Sequence, residues 1–75
     1  MDIKIANALF DDGTFTAMYK AGWISEKVFI DREIYLYVDM LMRTRNISKY
    51  KAAQIAADKF ECDITTIYRS VKKFE

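Results

Sequence analysis

Residues 52–74 read AAQIAADKFECDITTIYRSVKKF, and the fold turns on this stretch. Ser48 is a good N-cap, and Lys49 to Phe60 follows as a helix. Ala52, Ala53, Ala56, Ala57 and Phe60 make its inward stripe. Four alanines on one face allow a neighbouring helix to come very close. Phe60-Glu61-Cys62-Asp63 then breaks the periodicity. Asp63 can cap a second helix by accepting from the backbone N–H of Thr65 or Thr66. That helix runs from Ile64 to about Phe74, with Ile67, Val71 and Phe74 inward at i, i+4 and i+7. Thr65, Arg69 and Lys72 point the opposite way, flanked by Tyr68 and Lys73.

Upstream, Asp31 to Arg45 is the strongest single helix, with Ile34, Val38, Leu41 and Met42 on one stripe. Ser25 or Asp31 can cap its start. Tyr35, Leu36, Tyr37 and Met40 occupy the remaining surface, and Asp39 is the single polar residue between Ile34 and Met42. A helix apolar nearly all round is covered on more than one side. One cover is the C-terminal helices; the other is the N-terminal segment or a second subunit. Asp2 to Phe10 is read as a short helix with Ile5, Ala8 and Leu9 inward, in preference to a strand that Ile3-Lys4-Ile5 and the Asp12-Gly13 turn would also allow. Thr14 to Ala21 reads as one or two helical turns stopped by Gly22. Trp23, Ile24, Val28 and Phe29 are assigned to the core. Turn signals stand at Asp11-Asp12-Gly13-Thr14, Gly22, Arg45-Asn46-Ile47-Ser48 and Glu61-Cys62-Asp63. With no proline, no repeat and no long linker, residues 1–75 are one all-α domain.

Composition narrows the chemistry. The 75 residues are 52% hydrophobic and 31% charged, too apolar for a disordered chain. There is no histidine, which excludes histidine-dependent triads and the usual Cys/His zinc sites. Two glycines make no phosphate-cradling loop. The carboxylates show no constellation of the kind a metal-dependent nuclease needs, so no catalytic residue, metal or cofactor is assigned. Asp11-Asp12 is a turn rather than a metal site. Cys62 has no partner for a disulfide and serves as a small buried hydrophobe at its turn. No apolar run approaches the ~20 residues that span a bilayer. The N-terminus lacks the marks of a signal peptide, so a cytoplasmic chain is expected. The net charge of +1 conceals an asymmetry. Residues 1–42 carry four cations and seven anions, a balance of −3, whereas residues 43–75 carry eight cations and four anions, a balance of +4. A polyanion would be met by the C-terminal half.

The same stretch, residues 52–74, resembles the helix-turn-helix DNA-binding motif. Ala57, Phe60 three residues on, Cys62 past the turn, Asp63 and the TTIYR run stand in its usual order. The TIYR string is similar to recognition helices of phage and bacterial regulators and of recombinase and transposase DNA-binding domains. The resemblance covers roughly residues 31–75, with Asp31–Arg45 as the supporting first helix, and leaves residues 1–30 as a helical extension. Where the motif usually has glycine in the turn, this chain has Glu61; a side chain in that left-handed position costs about 1 kcal/mol.

The resemblance implies a recognition helix at about 64–74 lying in the major groove of double-stranded DNA. Arg69 would donate to guanine. Thr65 and Thr66 would touch phosphate or a thymine methyl, or else satisfy first-turn backbone donors. Tyr68 would reach phosphate through its hydroxyl, or else lie half-buried on the flank. Lys72 and Lys73 would face phosphates. So would Lys49, Lys51, Arg43 and Arg45, at the junction of two helices where the motif crosses the backbone. A lysine near a helix N-terminus opposes the dipole, so Lys49 and Lys51 are not stabilising choices for their helix. The implied function is a transcriptional regulator from a phage or other mobile element, not an enzyme. A core this small supplies only about 3–5 kcal/mol, which favours a homodimer. The rival is a protein-interaction module docking through the apolar surface of helix 31–45.

Overall fold

A computed structural model describes residues 1–75. Five helices follow one another: α1 (Ile3–Asp11), α2 (Thr14–Lys20), α3 (Lys27–Arg45), α4 (Lys49–Lys59) and α5 (Ile64–Lys72). There is no strand, and Ile3-Lys4-Ile5 is helical. All four turn signals fall at the junctions of successive helices.

Local chemistry accounts for each boundary. The Asp2 carboxylate accepts from the Lys4 amide at 2.7 Å and starts α1. Gly13, at φ +83°, ends α1 and precedes α2 in a conformation costly for a side chain. α2 closes with a Schellman pair: Trp23 N–H donates to Met18 C=O at 2.9 Å and Gly22 N–H to Tyr19 C=O at 3.0 Å. α4 closes the same way, Cys62 N–H donating to Ala57 C=O at 3.0 Å and Glu61 N–H to Asp58 C=O at 3.4 Å. The left-handed residue there is Glu61, at φ +54°. Ser48 caps α4, its hydroxyl accepting from the Lys51 amide at 3.2 Å. α3 ends on Asn46, also left-handed, a residue type that tolerates the conformation.

Two clusters hold the helices together. The larger joins Ile34, Val38 and Leu41 of α3, Ala52, Ala53 and Ala56 of α4, and Ile67 and Val71 of α5. The three alanines are essentially without solvent contact, which brings the α4 backbone close to its neighbours. The smaller cluster joins Ala6 of α1, Phe15 of α2 and Phe74 beyond α5. Phe10 links its aromatic members, with ring centroids 4.6 Å from Phe15 and 5.0 Å from Phe29. Phe74 also stacks edge-on against Tyr35, at 5.8 Å. The C-terminal end of the chain is thereby built into the α1–α2 layer.

Several sequence expectations are corrected. α3 begins at Lys27, four residues before Asp31, with neither Ser25 nor Asp31 capping it. Asp31 lies inside the helix, 3% exposed. Its Oδ1 accepts from the Ser70 hydroxyl at 2.7 Å and its Oδ2 from the Lys73 ammonium at 2.6 Å. Asp63 stands at the N-cap of α5, but its side chain makes no capping bond. On α1 the buried residue is Ala6, and Ile5 is 57% exposed. Ile3, Leu9 and Phe10 share the inner side with Ala6, so Leu9 is inward as expected while Ile5 and Ala8 are exposed. Trp23 is 80% exposed rather than core, because the Schellman turn carries it past the end of α2. Met42 also lies at the surface.

Candidate nucleic-acid interface

α5 offers two unlike faces. Ile67, Ser70 and Val71 are buried against α3 and α4. Thr65, Arg69 and Lys72, spaced i, i+4 and i+7, form an exposed stripe on the other side. Thr66 is half-buried, and the half-buried Tyr68 packs on the larger cluster. The Tyr68 ring lies on the helix flank, partly buried.

The remaining cations divide by what already holds them. Lys73 is drawn onto Asp31. Lys49 is paired with Glu75. The Arg43 Nε lies 3.1 Å from Asp39 Oδ2 one turn away on α3, with the side chain 78% exposed. Arg45, Lys51, Arg69 and Lys72 are exposed and make no ion pair. Arg43 and Arg45 sit in the last turn of α3, and Arg69 and Lys72 in the last turn of α5, where cations also favour the helix dipole.

Tertiary packing gathers charges that the sequence keeps apart. The Lys49–Glu75 pair sets the start of α4 beside the chain end that follows α5. Tyr35, Asp39, Met42 and Lys49 line one shallow hollow with Val71 and Glu75. The end of α3, the start of α4 and the end of α5 therefore share one pole of the molecule. Burial, with Asp39 and Glu75 nearby, raises the pKa of the Tyr35 hydroxyl above its usual 10.0. The opposite end of α5 is acidic: Asp58, Glu61 and Asp63 surround the α4–α5 turn with Cys62. Acids suit the positive N-terminus of a helix, but they weaken attraction for phosphate there. The basic potential of the α5 stripe is thus weighted toward its C-terminal half.

The apolar surface of helix 31–45 is smaller than its sequence suggests. Tyr35 stacks on Phe74, and Tyr37 stacks on Phe60 at 5.7 Å beneath the Lys59 ammonium, 4.7 Å from the ring centroid. Met40 and Met42 stay exposed. The group that sequence reasoning missed is Asp31–Ser70–Lys73. A polar serine inside an otherwise apolar helical stripe was its only linear trace. No protein-family model, curated protein or solved structure matches this chain.

Proposed function

We propose that the chain is a sequence-specific double-stranded DNA-binding protein of the helix-turn-helix kind, acting as a transcriptional regulator. The observation that carries this reading is the Thr65/Arg69/Lys72 stripe, exposed on a helix whose other face is seated on two supporting helices. Arg69 reads a base edge, and Thr65 and Thr66 approach from the same helix. Lys72, Lys51 and Arg45 are the phosphate contacts best placed to act, because no carboxylate of the chain holds them. Lys49, Lys73 and Arg43 take part only by exchanging an internal partner for a phosphate, and Tyr68 only through its hydroxyl edge. The acidic turn disfavours phosphate contacts at the first turn of α5, so those fall to its C-terminal half, and Thr65 and Thr66 face the bases.

The rival interaction reading rests on Met40 and Met42, the apolar side chains of α3 still free of cover near its C-terminal end. A gel shift with random duplex DNA separates the two. Retardation at low salt that weakens steeply as salt rises supports DNA binding, since phosphate contacts release counterions. No retardation at low salt, by protein that remains helical, refutes it.

A further inference from the structure

Two hollows meet on the outer side of α2 and the first half of α3. One, of about 410 Å³, is lined by Glu26, Phe29, Ile30, Glu33 and Phe60. The other, of about 360 Å³, is lined by Thr16, Tyr19, Lys20, Glu26 and Phe29. Glu26 and Phe29 line both, so the hollows adjoin there and are taken together as one interrupted trough. Its floor is apolar: the Phe29 ring meets Tyr19 edge-on at 5.5 Å, and Ile30 is 47% exposed. Its rim is acidic. Glu26 and Glu33 stand seven residues apart, on the same side of α3 and about 10 Å apart along its axis. Neither is in an ion pair. None of the ten residues assigned above to DNA lines the trough.

An apolar floor with two carboxylates two turns apart is complementary to an amphipathic helix with cations at the same spacing. The same carboxylates repel nucleic acid and anionic lipid. Lys20, the one cation at the trough, stands at the α2 end and suits an acidic residue at one end of the occupant. We propose that this trough, with Tyr19, Phe29, Ile30 and Phe60 as floor and Glu26 and Glu33 as rim, docks a basic amphipathic helix of a partner protein. The assignment is independent of the DNA reading.

The test uses the full chain and a fluorescent amphipathic peptide with leucines along one face and lysines seven residues apart beside them. A second peptide has glutamates in place of the lysines. Fluorescence anisotropy should show saturable binding of the lysine peptide, at least about tenfold tighter than the glutamate peptide and weakened by salt. The Glu26→Lys/Glu33→Lys variant should reverse that preference, and Ile30→Ser should weaken both. These side chains are exposed, so circular dichroism should remain helical, and an unchanged midpoint of urea unfolding serves as a second check that the variants are intact. Equal affinity for the two peptides, or binding that the charge reversal leaves unchanged, overturns the proposal. So does a concentration-dependent dimer, seen by light scattering and abolished by Ile30→Ser, in a chain that binds neither peptide; the occupant would then be a second copy.

Discussion

At Asp31 a nearly solvent-free carboxylate is held by one hydroxyl and one ammonium. Ser70 is also buried, whereas the Lys73 side chain is about half exposed. Asp31→Ala removes the acceptor of a buried hydroxyl and should cost about 1–3 kcal/mol in urea unfolding. Asp31→Asn keeps an acceptor for Ser70 and should cost less. A fully stable Asp31→Ala chain would show that the network contributes nothing. The same geometry separates Lys73 from Lys72: Lys73→Ala should lower stability, and Lys72→Ala, which loses only an exposed helix-dipole contact, should act mainly on DNA binding. Arg69→Ala should remove about 1–3 kcal/mol of discrimination at one base position. Lys51→Ala should weaken all sequences alike and reduce the salt slope by about 0.9. Lys49→Ala should do so less, because Glu75 already neutralises Lys49. Arg69→Ala and Lys51→Ala variants that both bind like the parent would exclude docking through this face.

At the scale of single helices, the α4–α5 connection is the point of tension. Glu61 adopts φ +54° without glycine's freedom. Glu61→Gly relieves a left-handed side chain but loosens the unfolded chain, so a gain of at most about 1 kcal/mol is expected. Glu61→Val, branched at the β carbon, should be destabilising in the same urea titration. Ser48→Ala should cost about 1 kcal/mol by removing the cap that accepts from the Lys51 amide. Asp12, before α2, accepts from the Thr14 backbone amide at 2.8 Å. The Thr14 side chain and that amide together lower its pKa below the ordinary 3.8. Folding therefore favours the ionised carboxylate. Its contribution is complete above pH 3.8 and is lost as pH falls through the lower folded value. An Asp12→Asn variant should be less stable than the parent near neutral pH, with the gap closing in acid. A gap independent of pH would assign the effect to shape instead of charge.

For the molecule as a whole, the smaller cluster predicts how the N-terminal layer behaves. Phe74 lies between α1, α2 and α3, so residues 1–30 are packed into the same body as the other helices. Phe74→Ala should cost about 3–5 kcal/mol, close to the whole stability available to a chain this short. Thermal melting followed by circular dichroism would register it as loss of the cooperative transition near room temperature. Homodimerisation remains our proposal for assembly, with two recognition helices about 34 Å apart to meet successive turns of DNA. Exposed apolar side chains, Trp23, Ile5, Ile30, Met40 and Met42 among them, are available to a two-fold contact. Light scattering that stays monomeric at high concentration, with and without DNA, would rule it out.

Periodicity and punctuation in the sequence sufficed for α4, α5 and the four turns, because each depends on neighbours within about five residues. The left-handed position at Glu61 followed from the resemblance, and the start of α3 was misplaced by four residues. The inward stripes of α4 and α5 were legible for the same reason: large apolar residues and alanines recur at helical spacing. The exposed stripe Thr65/Arg69/Lys72 followed as their complement. Tertiary structure decided the rest. Which side of α1 turns inward depends on where Phe15 and Phe74 meet it, and no local pattern encodes that. Asp31 looked like a cap because aspartate prefers helix starts; Ser70 and Lys73, about forty residues away, make its burial tolerable. Lys49 and Lys73 counted as free cations in the sequence, and only packing brought Glu75 and Asp31 to them. Charge and hydrophobicity are properties of residues, but their availability to a partner depends on distances that only the folded chain sets.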